Sequence, residues 1–496
     1  MKRSISLMLT LLMLLSSCGS QTAETQSGGQ NAPAETQSGV ETAPAETVPE
    51  ETIPEETELT PDLPDVTYDG EKLNVLTRIG SWAYDVSDVF SEELTGEVWN
   101  DAIFNRNLKL EETYKIELVE HQNSQPSIAF QNDVMGGLHT YELVAEMMKD
   151  MMPLALENYC LDWNDLSHVN TEDPWFDACI KRDLSVGGKL FAMAGAITLQ
   201  PSFLSRCLFF SKGIMQDYNI TPPYDLVREG KWTIDRMIEM VEMVSEDKNG
   251  DGVYNADDVL GLLKETPNFF LIGAGILYTG VDENGIPVPT INNERTIAAI
   301  DKVRELMNIP NSTIHYVDAA SGRDMTGYAH LYSFVRSVYF ADEHFLFTQI
   351  DPGGTAEFID MERGFGVLPN PKLDEEQEAY YHMIDEWSCA WYIPSDTVTL
   401  EKTDILFTAW NYMSLPVVDA FYEKTLKLKR ADAPEDSEML DIVRQNPRYE
   451  ISLIFDLGIA NIVTDAFEHD NFASTYARKI KAAEKMIDKK FGHLVD

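Results

Sequence analysis

The chain has 496 residues and a formal charge of −45, and 44% of it is hydrophobic, with 10% aromatic. Acidity on this scale excludes a nucleic-acid partner, which needs a basic face, and argues against peripheral docking on anionic lipid. The apolar fraction predicts a globular body, and about 430 residues remain after the N-terminal segments, which predicts two or more lobes.

Lys2 and Arg3 form a short positive start, and an apolar run follows from Ile5 to Leu15. A run this short reads as a signal-peptide core, since a spanning helix needs about 20 apolar residues. Leu15-Ser16-Ser17-Cys18-Gly19 resembles the lipobox of bacterial lipoproteins. The resemblance implies that residues 1–18 are a signal peptide, that Cys18 carries a lipid, and that the protein is tethered to the outer face of the cell membrane. Residues 19–66 contain no Lys, Arg, Phe, Trp or Tyr, and Ala-Glu-Thr recurs at Ala23, Ala34 and Ala45. Such a stretch cannot bury enough apolar surface to offset its ordering entropy and reads as a disordered tether, spanning on the order of 40 Å.

The body is expected to begin near residue 67. Lys72–Thr77, Ile116–Val119 and Tyr141–Ala145 read as strands. Asp101–Tyr114 reads as a helix with Asn100 as a possible cap. This alternation predicts an α/β fold with a largely parallel sheet. Thr233 is the expected N-cap of a helix whose apolar face is Ile234, Met237, Ile238, Val241 and Val244. Thr290–Leu306 reads as a helix, Ser333–Ala341 as a strand, and Ser474–Phe491 as a terminal amphipathic helix. Cys160, Cys179, Cys207 and Cys389 form no C-x-x-C pair and are expected to be free thiols rather than a disulfide framework or a zinc site.

Residues 247–258 fit a twelve-residue calcium loop. Asp247, Asn249 and Asp251 supply side-chain oxygens at positions one, three and five, and Gly252 permits the turn at six. Val253 offers its carbonyl at seven, Asn255 stands at nine and Asp258 closes at twelve. An Asp at twelve is shorter than the usual Glu. One such loop beside an apolar stretch implies a structural calcium ion.

No H-E-x-x-H, G-x-S-x-G, P-loop or G-x-G-x-x-G motif occurs, and with 83 acidic residues no carboxylate dyad stands out, so nothing argues for an enzyme. The aromatics are more suggestive. Trp82, Trp175, Phe269, Phe270, Tyr339, Phe345, Trp387 and Trp391 sit near predicted strand ends and loops, where ring faces could stack on the apolar faces of a sugar.

Several stretches together resemble family 1 extracellular solute-binding proteins, relatives of maltose-binding protein. They are Gly96–Ile103, Glu172–Phe176, Gly188–Phe191, Gly230–Thr233 with the calcium loop after it, and Phe365–Lys372. The resemblance implies a type II periplasmic-binding-protein-like fold of two α/β lobes joined by a hinge. Residues 67–196 and 364–398 would form the first lobe, and 197–363 and 399–496 the second, ending in helices. It implies a monomer that binds a carbohydrate in the cleft and delivers it to ABC permease subunits. By position it brings Arg78, Trp82, Glu146, Asp150 and Trp175 to the cleft from the first lobe, Phe269, Phe270 and Phe345 from the second, and Trp387 on the returning segment. Where relatives often carry a polar residue after the Gly-Lys-Leu-Phe strand, this chain has Ala194-Gly195-Ala196. That departure leaves the identity of the sugar open. A surface polysaccharide-degrading enzyme and an adhesion or scaffold lipoprotein are the alternative readings.

Overall fold

The structure, a computed structural model, describes residues 59–79, 89–199, 201, 204–422, 434–469 and 471–494. Cys18, the signal peptide, Trp82 and most of the tether lie outside the described residues. Leu63 and Val66 already pack, partly buried, against the core, and the Asp62 carbonyl lies 3.2 Å from His168 Nδ1. Packing therefore begins a few residues inside the segment that composition assigns to the tether.

The fold is α/β, with two sheets and a helical periphery. The first sheet contains β1 (Glu71–Arg78), β2 (Ile116–Asn123) and β3 (Leu143–Met147). The strand β1 lies parallel to both β2 and β3. The second sheet contains β4 (Cys207–Ser211), β5 (Ser245–Glu246) and β6 (Val259–Lys264). A short antiparallel ribbon, β7 (Thr279–Val281) with β8 (Pro287–Pro289), stands apart. The second sheet continues with β9 (Thr313–His315), β10 (Phe345–Ile350) and β11 (Phe365–Leu368), in the order β11-β4-β10-β6-β5 with β9 also on β6. Finally, β12 (His382–Met383) pairs with β14 (Pro447–Arg448), while β13 (Cys389–Tyr392) runs antiparallel beside β3 and closes the first sheet.

Burial explains which segments became central strands. Every residue of β4, β10 and β11 is buried, as is all of β6 except Lys264. Strands covered on both faces read as apolar runs rather than as alternation. Helix starts follow the capping rules. The Thr233 and Asn293 side chains accept from Arg236 N and Thr296 N at the heads of helices Ile234–Glu242 and Glu294–Met307. The helix Val98–Tyr114 is capped by Glu97, which accepts from Trp99 N and Asn100 N, so Asn100 lies inside the helix instead of capping it. All four cysteines in the described residues are free.

Two expectations about element placement are overturned. Ser333–Ala341 is not a strand: His330 caps the helix Leu331–Val335, which runs on into a π turn, Arg336–Phe340. Its buried residues Val335 and Tyr339, and Arg336 and Phe340, repeat at four-residue spacing, so packing on a helical face outweighs the strand preference of the valines and aromatics. The chain also exchanges lobes at other points than expected. β11 pairs with β4 in the second sheet, and the first sheet regains the chain only at β13. The helix Leu400–Met413 then returns to the first lobe. Trp410 Nε1 donates to Asn107 at 3.0 Å and Lys402 Nζ donates to the Lys72 carbonyl at 2.9 Å. Helix Pro434–Gln445 goes back to the second sheet, where Asp436 accepts from Val367 N at 2.9 Å.

Candidate ligand-binding site

In open α/β sheets, ligands collect outside the carboxyl ends of parallel strands. In the second sheet β6 and β10 are parallel, and the residues just past them are Glu265 and Asp351. β4 runs antiparallel to β10, so its first flanking residue, Arg206, emerges at the same edge. A cavity of about 320 Å³ opens there. It is completed by Phe269 from helix Asn268–Gly273, Tyr332 and Arg336 from the segment after His330, and Asp385, Glu386 and Trp387 from the connection that leads into β13.

Arg206 organises the floor. Its Nη1 lies 3.2 Å from Asp351 and its Nη2 2.5 Å from Asp385, and its guanidinium sits 4.6 Å from the centre of the Phe269 ring, within cation–π range. The backbone holds it in place: Arg206 N donates to the Met383 carbonyl at 2.9 Å, and the Arg206 carbonyl accepts from Asn370 Nδ2 at 2.8 Å and lies 3.1 Å from His382 Nδ1. Arg336 pairs with Glu357. Tyr332 packs against Tyr316 with ring centres 5.2 Å apart.

Two acids in this cavity stand apart from the ion pairs. Glu265 Oε2 is sealed from solvent and has no hydrogen-bond partner among the described residues. Burial pushes the Glu265 carboxyl up, against the pull of Arg206 and Arg336. Burial also raises the Glu386 carboxyl, and the neighbouring Asp385 adds to the effect. His330 Nδ1 accepts from Ser333 N at 3.1 Å, and burial lowers the ring's pKa.

The residues expected at the cleft separate into four groups. Phe269 and Trp387 line this cavity; Phe269 is nearly buried and Trp387 is 36% exposed. Arg78, Glu146 and Asp150 come together at the carboxyl edge of the first sheet. Arg78 Nε donates to Glu146 at 2.9 Å and Arg78 Nη2 to Asp150 at 2.9 Å. Glu146 is fully buried; burial raises its pKa while Arg78 opposes the rise. Trp175 is almost wholly buried and borders a different cavity, of about 410 Å³, with Ala194–Ala196, Tyr422 and Arg444. Phe270 and Phe345 do not line a cleft. Both are fully buried core residues, because Phe345 opens a strand covered on both faces and Phe270 lies on the core-facing side of its short helix. Arg206, Glu265, Asp351 and Asp385 were not legible beforehand, and their one available signal was position beside the ends of apolar strands.

The loop 247–258 is a chain of side-chain acceptors. Asp247 accepts from Gly250 N and Gly252 N, both at 2.7 Å. Asn249 accepts from Asp251 N at 2.8 Å and Asp251 from Val253 N at 2.7 Å. Asn255 accepts from Asp257 N at 2.9 Å. Buried Asp258 accepts from Lys248 N at 3.1 Å and Asn255 N at 2.8 Å. Gly250 and Gly252 take φ values of 72° and 78°, which side chains rarely adopt. The donor types suit a hard cation. Among the described residues, however, no group of three or more His, Cys, Asp and Glu side chains is gathered to hold a metal ion. Among those residues, too, no helix is long and apolar enough to cross a membrane.

No protein-family model and no curated protein matches the chain. Solved structures match it in fold. An ABC substrate-binding protein from Listeria monocytogenes in complex with cycloalternan gives a TM-score of 0.53 at 11% identity, covering 86% of this chain and 100% of that one. A cyclo/maltodextrin-binding protein complexed with maltotetraose gives 0.52 at 12% identity, covering 85% and 97%. The apo form of RafE from Streptococcus pneumoniae gives 0.52 at 11% identity, covering 85% and 98%. At these identities the likeness is one of architecture, and the chain has the two-lobe α/β fold of these solute-binding proteins.

Proposed function

We propose that the protein is a lipid-anchored, monomeric extracellular receptor that captures a carbohydrate, an oligosaccharide by preference, and passes it unchanged to the permease subunits of an ABC importer. The observation that carries this reading is the cavity beyond β6 and β10. There Phe269, Tyr332 and Trp387 line the cavity beside Arg206, Glu265, Asp351 and Asp385, the combination of apolar wall and convergent polar groups that holds a sugar. The fold supports it, since proteins of the same architecture carry cycloalternan and maltotetraose. Lipidation at Cys18 and a position outside the cell rest on the lipobox-like segment.

Titration with an oligosaccharide panel tests the receptor reading. Trp387 is partly exposed at the cavity, so its fluorescence is expected to change on binding, with no product released. Trp387→Ala and Phe269→Ala should each weaken binding about tenfold, the loss of one aromatic contact worth roughly 1 to 1.5 kcal/mol. Turnover of any glycan by the purified protein would overturn the reading.

The loop 247–258 is proposed to bind one structural calcium ion through Asp247, Asn249, Asp251, the Val253 carbonyl, Asn255 and Asp258. The spacing and the oxygen donors support this. Calcium should raise the melting temperature in calorimetry, and Asp247→Ala together with Asp251→Ala should abolish the rise. An identical melt with calcium and with chelator would remove the ion from the account.

A further inference from the structure

Four carboxylates line the cavity beyond β6 and β10, Glu265, Asp351, Asp385 and Glu386, against the two guanidiniums of Arg206 and Arg336. The ion pairs do not use them evenly. Arg206 is shared between Asp351 and Asp385, and Arg336 is taken by Glu357. Glu265 and Glu386 therefore lack a cation in direct contact among the described residues. Glu265 Oε2 goes further: it is shut off from solvent with no hydrogen bond among the described residues. An acid in that position costs free energy unless something else supplies the missing donor. Burial pushes both carboxyls up, as expected of acids short of partners.

An ammonium group fits this deficit. It brings one positive charge and three N–H donors, it needs no fixed coordination geometry, and it can sit on a ring whose apolar faces meet Phe269, Tyr332 and Trp387. We propose that this cavity selects a saccharide bearing a free, protonated amine over its neutral counterparts, Glu265 being the residue that receives the ammonium. This rests on the receptor reading above.

Calorimetric titration of the full chain with a glucosamine trisaccharide, the N-acetylated trisaccharide and cellotriose tests it. The free amine should bind at least about tenfold more tightly than the acetylated form, the scale of one charge-assisted hydrogen bond. Added salt should weaken the amine form and leave the acetylated form nearly unchanged. Glu265→Gln should narrow the difference to about threefold or less, with its melt confirming that the variant is folded. Glu386→Gln should narrow it independently. Neutral trisaccharides binding as tightly as the amine, with no salt effect, would overturn this inference and leave the receptor standing. No binding by any of the three would also overturn this inference, while the oligosaccharide panel decides the receptor reading separately.

Discussion

Arg206 shows how much of the cavity hangs on backbone bonds. Its N–H and its carbonyl are both engaged by the segment 370–383, so its guanidinium is presented at the edge of the sheet with little freedom left to lose on binding. His382 lies beneath it, fully buried, and burial holds the imidazole pKa down to about 4. In the unfolded chain the same ring takes up a proton near its ordinary value of 6.5. The unfolded state thus binds more protons below that pH, and the His382 contribution, intact above pH 6.5, is lost as pH falls towards 4. The loss approaches roughly 3 kcal/mol. Urea denaturation at pH 7 and at pH 4.5 should show a steeper fall for the wild type than for His382→Asn, which keeps a donor near the Arg206 carbonyl; equal slopes would refute it. At this scale the aromatic side chains could be flagged from the sequence, and Phe269 and Trp387 do reach the cavity. The charged ones could not. Among 83 acidic residues, Glu265 differs from its peers only in what surrounds it.

The elements follow their local patterns where one face is buried. Helix Ile234–Glu242 is the clearest case: Ile234, Met237, Ile238 and Val241 are buried, and Thr233 caps it. Its contact with β6 depends on a glycine. A methyl group on Gly261 would stand 2.5 Å from the Val241 carbonyl oxygen and 2.7 Å from Val241 Cγ1, and backbone cannot move aside as a flexible side chain can. Gly261→Ala should therefore cost about 1 to 3 kcal/mol in chemical denaturation; an unchanged midpoint would mean that the helix can shift freely against the strand. Where an element is buried on several sides the pattern fades. Ser333–Ala341 has the composition of a strand and the spacing of a helix, and neighbours such as Tyr316 and Phe358 settle the choice by packing on it.

For the whole molecule, the chain passes between the two sheets more than once: from β11 in the second to β13 in the first, and from helix Leu400–Met413 against the first to helix Pro434–Gln445 against the second. Two lobes joined by connecting segments allow hinge motion. Ligand should contract the scattering radius of gyration and, at a hundredfold excess over Kd, add about 2.7 kcal/mol of stability. Scattering curves that coincide with and without a bound sugar would rule out closure.

The sequence by itself determined the α/β class, four of the helices and the strands β1, β2 and β3 of the first sheet, because hydrophobic periodicity and capping act over a few residues. It also marked the acidic loop 247–258 by spacing alone. Only the tertiary structure decided where β11 and the helix Leu400–Met413 belong, and which polar residues share a cavity. Arg206, Glu265, Asp351 and Asp385 are spread over some 180 residues and meet because strand order and direction carry their flanks to one edge of the sheet. That is a property of long-range pairing, and no local window contains it.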